Sequence, residues 1–277
     1  MTCIEEEDID RCIMKVESLC ISKGIFVFAC LILPPSIDNM KILALSSSRV
    51  GGGGFLEKAV PLVVDFIGNS QLNIAFIPFA SVQKNYKEYE SMVALAFESL
   101  PYSIQTVLPG NAKSILEHAD VIMVGGGNTF KLLHDLYEFD LFEIIKTKVN
   151  SGIPYIGWSA GSNIIGRSIG TTNDMPIIQP RSFASFGFFP FQINPHYFNQ
   201  TVKEFHGETR DQRIEEFVAL NPALPVVGLP EGTALQLQGD TLYFTGDKES
   251  VLFQSAGSDG VKKRMIKNGE DLSLLLR

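Results

Sequence analysis

The sequence predicts a three-layer α/β fold with a mostly parallel sheet and antiparallel strands toward its C-terminal end. Three observations lead there. Short apolar runs alternate with helical segments from Met40 to Ile156, which implies right-handed βαβ crossovers. Gly152 and Gly157 bound the last run of that series. After Arg210 a helix gives way to short strands separated by Gly-Asp pairs, as in hairpins.

The first half reads in order as strand Lys41–Ser46, helix Phe55–Ile67 interrupted by Pro61, and strand Leu72–Phe79. A helix from Asn85 to Leu100 follows, then strands Ile104–Leu108 and Val121–Val124. Two helical pieces around Phe139-Asp140 occupy Thr129–Asn150, and Ile153–Ile156 is a fifth strand. The second half reads as helix Asp211–Leu220, ended by Asn221-Pro222, and strands Val226–Leu229, Ala234–Gln238, Leu242–Thr245 and Val251–Gln254. Gly239-Asp240 and Gly246-Asp247 supply turns. No linker rich in Pro, Gly or Ser divides the halves, so residues 40–277 read as one catalytic domain.

Composition narrows the partners. The chain has 277 residues, 45% hydrophobic and 19% charged, with a formal net charge of −8. Its longest basic cluster is Lys262-Lys263-Arg264, too little to bind phosphate backbones, so nucleic acid is not an expected partner. Cys3, Cys12, Cys20 and Cys30 are the four cysteines, and their spacings suit neither a zinc site nor a redox pair. The remainder would fold without disulfides, which fits a reducing, cytoplasmic location. Gly24–Leu33 is an apolar run of ten residues, short of the ~20 a membrane helix needs. Its acidic approach, Glu5-Glu6-Glu7-Asp8, is unlike a secretory signal. Residues 1–39 are therefore read as an extension outside the catalytic domain, with a docking helix as the plainer alternative.

Gly157-Trp158-Ser159-Ala160-Gly161 has the G-x-S-x-G form. Alone the pattern is weak. Here it follows a strand and precedes the small and apolar Ser162–Ile165, the strand–turn–helix context of a nucleophile elbow. Gly125-Gly126-Gly127-Asn128-Thr129 follows another strand, so both loops would meet at the carboxyl edge of a parallel sheet. The N–H groups of Gly127 and Ala160 are the expected oxyanion donors. A phosphate-cradling loop fits less well, because no Gly-Lys-Ser/Thr follows. Among the four histidines, His118, His134 and His206 lie in polar or helical settings. His196, in FQINPHYF after Pro195, is the candidate base.

The stretches GWSAGSN, TTNDMPI, INPHYF, GETRDQRI and GLPEGT, in this order, resemble the dipeptidase E (peptidase E, aspartyl dipeptidase) family. The resemblance runs from about Met40 to the last strands. It implies a fold related to class I glutamine amidotransferases and hydrolysis of Asp-X dipeptides without metal or cofactor. It also implies Ser159 as nucleophile, His196 as base, Asp174 as the orienting acid, and Arg210 as reader of the aspartyl side chain. Glu231, in LPEGT, is the rival for the acid, and Arg213 is the local competitor of Arg210. The partner is then a small dipeptide, with no membrane and with a homodimer left open. Two alternatives share the motifs: a cyanophycinase-like exopeptidase and a catalytically silent binding module on the same fold. An α/β-hydrolase esterase fits poorly, since His196 precedes a long run of strands.

A polypeptide beginning at Met40 is expected to fold and retain dipeptidase activity, checked by thermal unfolding and turnover. Loss of either would assign the Gly24–Leu33 run to the core.

Overall fold

The computed structural model describes residues 39–199 and 206–277, so the expected extension lies outside them apart from Asn39. In chain order the first strands are β1 (Lys41–Leu45), β2 (Leu72–Ile77), β3 (Tyr102–Thr106), β4 (Val121–Val124) and β5 (Tyr155–Trp158). They continue as β6 (Gln192–Pro195), β7 (Val226–Leu229), β8 (Thr233–Gln238), β9 (Thr241–Gly246), β10 (Ser250–Ser255) and β11 (Val261–Ile266). The helices are α1 (Ala59–Ile67), α2 (Tyr86–Ala96), α3 (Ala112–Glu117) and α4 (Thr129–Glu138). After them come α5 (Phe142–Asn150), the single turn α6 (Ala160–Asn163), and α7 (Arg210–Leu220).

A seven-stranded sheet runs β3-β2-β4-β5-β1-β8-β9, parallel from β3 to β1 and antiparallel beyond. The inner parallel strands β1, β2, β4 and β5 are largely apolar because both faces are covered, whereas the edge strand β3 is mixed, with Ser103, Gln105 and Thr106. Side chains alternate between two cores. Ile42, Ala44, Ala75, Ile77, Ile122 and Val124 enter one. Their neighbours Leu43, Leu45, Ile74, Phe76, Val121 and Met123 enter the other, which Trp158 joins by stacking on Phe76. This is the expected three-layer arrangement.

Local chemistry explains several boundaries. Pro61 falls in the first turn of α1, where its missing N–H has no intrahelical partner to lose, so α1 begins at Ala59 and is not interrupted. Asp140, with φ 54°, makes the bend between α4 and α5. Thr209 and Gln212 form a reciprocal capping box that starts α7 at Arg210. Tyr155–Trp158, two residues later than expected, is the strand that leads to the serine.

One expectation about the C-terminal half needs correction. Gly239-Asp240 does turn a hairpin, between β8 and β9. Gly246-Asp247 does not: β9 stays in the large sheet, while β10 pairs with β7 and β11 in a second sheet ordered β11-β10-β7-β6. That sheet also contains the parallel pair β6–β7, and β6 was not expected as a strand.

One buried phenol, Tyr155, and one partly buried phenol, Tyr89, give the fold a pH dependence. Burial pushes Tyr89 up to about 12 and Tyr155 well above the ordinary value of 10. The unfolded chain therefore ionises first. The stability from keeping these groups neutral is complete below pH 10 and is lost as pH rises through the folded values. Urea midpoints should fall between roughly pH 10 and 12, and Tyr155→Phe should make that fall shallower.

Candidate active site

Ser159 leaves β5 and opens α6 with φ 54° and ψ −112°, a conformation rare for a residue with a Cβ. The chain around it is too tight for side chains at the motif glycines. A Cβ on Gly157 would meet the Gly161 carbonyl oxygen at 2.4 Å, and one on Gly161 would meet that of Val124 at 2.2 Å. The strained serine is held by its own backbone bonds. Its N–H donates to Leu45 O at 3.2 Å, and its carbonyl accepts from Ser162 and Asn163. As the first residue of a helical turn, Ala160 has an N–H with no acceptor within that turn.

His196 follows β6 and also has positive φ, 53°. Its N–H donates to Ser46 Oγ at 3.0 Å, and Ser46 Oγ–H in turn donates to Leu229 O at 2.8 Å. Nε2 of His196 lies 2.9 Å from Ser159 Oγ, and Nδ1 lies 2.9 Å from Glu231 Oε1. The parallel register explains the second contact. Pro195 pairs with Leu229, so the residues just beyond β6 and β7 emerge side by side at one edge.

Asp174, expected against His196, sits elsewhere. Its Oδ2 accepts from Thr129 N at 2.7 Å, Thr129 Oγ1 at 2.6 Å and Thr172 Oγ1 at 3.1 Å. The Asn173 side chain donates to Pro195 O and Asn194 donates to Thr171 O, which ties this loop to β6 and turns Asp174 toward the start of α4. The carboxylate in contact with the imidazole is that of Glu231. The geometric condition for an orienting acid is thus met by the rival.

Arg210 is the first residue of α7 and lines a cavity of about 150 Å³ with Ser159, Ala160, His196, Thr129 and Asp174. Burial holds its guanidinium below the ordinary arginine range. Nearby Arg213 adds to this, and the Asp174 charge opposes it. Arg213 itself pairs outward with Glu208. The guanidinium lies 5.6 Å from the centre of the Phe198 ring. Gly127, in the loop after β4, packs on Ala80 and lies outside the cavity lining.

A network centred on the buried Asp211, which the sequence did not reveal, links the neighbourhoods of His196 and Arg210. Asp211, next to Arg210, accepts from Tyr197 Oη at 2.7 Å, Asn199 Nδ2 at 2.8 Å and Lys263 Nζ at 2.8 Å. Tyr197 follows His196 directly, so α7 and the histidine loop are clamped as one unit.

An imidazole between a serine hydroxyl and a carboxylate is the arrangement for acyl transfer. The model of peptidase family S51 matches residues 42–245. The chain belongs to peptidase family S51. Its relatives include the peptidase E of Shewanella amazonensis, 45% identical over 86% of this chain and 100% of the relative. The peptidase E of a Nostoc species is 44% identical over 78% of this chain and 90% of the relative. In fold, the S51 chain is similar to a peptidase from an acI-B1 actinobacterium, with TM-score 0.61 at 18% identity over 85% of this chain and 98% of that one. A second similar structure, from Listeria monocytogenes EGD-e, has TM-score 0.58 at 24% identity over 76% and 99%. This S51 member is a serine dipeptidase. Among the described residues no helix is long and apolar enough to cross a membrane.

Glu231→Gln should lower kcat by about 10³- to 10⁴-fold at saturating substrate, because the amide cannot hold the required imidazole tautomer or stabilise the imidazolium. Asp174→Asn should lower kcat less under the same conditions. The opposite ranking in steady-state assays would return the orienting role to Asp174.

Proposed function

We propose that the chain hydrolyses dipeptides with an N-terminal aspartate through an acyl-enzyme on Ser159. The observation that carries this reading is one small cavity containing the serine–imidazole pair, a cationic Arg210 and an anionic Asp174.

The chemistry follows from the contacts. Glu231 accepts the Nδ1 proton of His196, which leaves Nε2 unprotonated and able to take the Ser159 hydroxyl proton. Oγ attacks the scissile carbonyl, and the N–H groups of Gly127 and Ala160 receive the oxyanion. Nε2–H then protonates the leaving amine. Water then gives a proton to Nε2 and adds its oxygen to the acyl carbon, and Nε2–H returns that proton to Ser159 Oγ as the ester bond breaks and aspartate leaves.

Specificity follows from opposite charges held close together. A guanidinium can grip the substrate β-carboxylate through two parallel charge-assisted hydrogen bonds. Asp174 has a different task from the one its sequence motif implied: it receives the substrate's α-ammonium. Among the described residues, its side-chain hydrogen bonds all reach Oδ2, so Oδ1 retains lone pairs for a ligand. A free amine beside a β-carboxylate is the signature of N-terminal aspartate. A blocked or internal aspartate lacks the ammonium and leaves the Asp174 charge without a partner.

Arg210→Met should cut kcat/KM for Asp-X by roughly 30- to 5,000-fold, the equivalent of about 2–5 kcal/mol for removing one partner of a desolvated ion pair. Asn-X should lose much less, so the Asp/Asn preference should collapse. Equal losses on both substrates would make Arg210 a structural support. N-acetyl-Asp-X should be a poor substrate for the unaltered enzyme.

A further inference from the structure

The two loops of the site are joined by a side chain that lies outside the cavity lining. Tyr89, on α2, donates its hydroxyl to the Gly126 carbonyl oxygen at 3.1 Å and accepts from Trp158 Nε1 at 3.0 Å. Gly126 belongs to the glycine loop after β4, and Trp158 directly precedes the nucleophile. Gly126 touches the serine: a Cβ built on it would lie 2.9 Å from Ser159 Cβ.

We propose that Tyr89 is a positioning residue that sets the orientation of the Gly126–Gly127 peptide, so that the Gly127 N–H faces the oxyanion formed at Ser159. This rests on the oxyanion role proposed above for Gly127. The described peptides are all trans, and in a trans peptide the C=O and N–H point in opposite directions. Anchoring the Gly126 carbonyl on Tyr89 directs it into the aromatic cluster of Phe55, Phe76 and Trp158. The Gly127 N–H therefore points away from that cluster.

An external brace is needed because the loop sequence cannot set this orientation itself. Rotating a peptide between two glycines meets little steric resistance, since neither neighbour carries a Cβ. Glycine is nonetheless required at 127, where φ is +139° and a Cβ would meet Ala80 O at 2.3 Å. The same Ala80 oxygen accepts from Asn128 N at 2.9 Å, which pins the far side of the loop. A flipped peptide would aim a carbonyl oxygen at the developing negative charge and take away the acceptor of the part-buried Tyr89 hydroxyl. With burial pushing that phenol up to about 12, it stays a neutral donor at ordinary working pH.

Tyr89→Phe in the full chain is the test, because it removes one oxygen and leaves the ring in its cluster. The expected result is a fall in kcat for Asp-X of about tenfold, part of the 10²–10³ that loss of an oxyanion donor costs. KM and inhibition by free aspartate should be unchanged. The aldehyde analogue of aspartate adds the Ser159 oxygen to its carbonyl carbon, the serine proton passing to His196 and the carbonyl oxygen becoming the oxyanion. Its affinity should weaken by the same factor as kcat. Tyr102→Phe, which removes a hydroxyl bonded to the Gly68 carbonyl at the sheet edge, is the control and should leave both values unaltered. Unchanged aldehyde affinity in folded Tyr89→Phe protein, or an equal kcat loss in Tyr102→Phe, overturns the brace. Should the unaltered enzyme bind the aldehyde no more tightly than aspartate, the oxyanion reading fails and the brace fails with it.

Discussion

Two residues at the end of β1 hold the site together. The Leu45 carbonyl accepts the Ser159 N–H and the Ser162 hydroxyl, while the Ser46 hydroxyl accepts the His196 N–H. Both bonds restrain residues whose φ is near +54°, each a conformation that costs on the order of 1–3 kcal/mol. A single buried hydrogen bond contributes about 1 kcal/mol net, so neither contact offsets the strain alone. The surrounding core has to supply the rest. Placing β1 between β5 and β8 brings that core to the point where it is needed.

Rigidity at the edge of β1 has a consequence for the imidazole. His196 lies beyond a strand of the second sheet, whereas Ser159 lies beyond a strand of the first. Their 2.9 Å separation depends on how the two sheets meet, and Ser46 is the side chain that spans the junction, bonded to both His196 and Leu229. The Asp211 network does the same for Arg210, tying α7 to Tyr197 and to Lys263 of β11. On the proposed reading, nucleophile, base and the two charged readers are set by different parts of the fold and converge on one small cavity. Misplacement by about 1 Å in such a site can cost 10²-fold in rate.

Much of this was legible in the chain because it rests on local rules. Apolar runs between helical periods located the inner parallel strands, since strands buried on both faces are largely apolar, while the edge strand β3 begins two residues before its expected start because it is mixed in polarity. The elbow was legible because a Cβ at Gly157 or Gly161 would strike backbone, so the sequence must show glycine there. The strand β6 was not legible because it is only four residues long, with Pro190 just before it and Pro195 as its last residue. Gly246-Asp247 misled for another reason: a turn-forming pair bends the chain whether the next strand joins the same sheet or leaves for another.

The sequence by itself determined the fold class, the serine and its strand–turn–helix setting, and a short set of candidate bases and acids. The first two depend on residue type, on periodicity and on spacing along one segment; the candidate acids came from the resemblance of TTNDMPI and GLPEGT to the family's motifs. The choice between Asp174 and Glu231 as the neighbour of His196 was beyond it. Both carboxylates suit the chemistry, and they lie 22 and 35 positions from the histidine along the chain. Only the pairing of Pro195 with Leu229 decides, because it brings the residues after two parallel strands to the same edge, while the Asp174 carboxylate is taken up by Thr129 and Thr172.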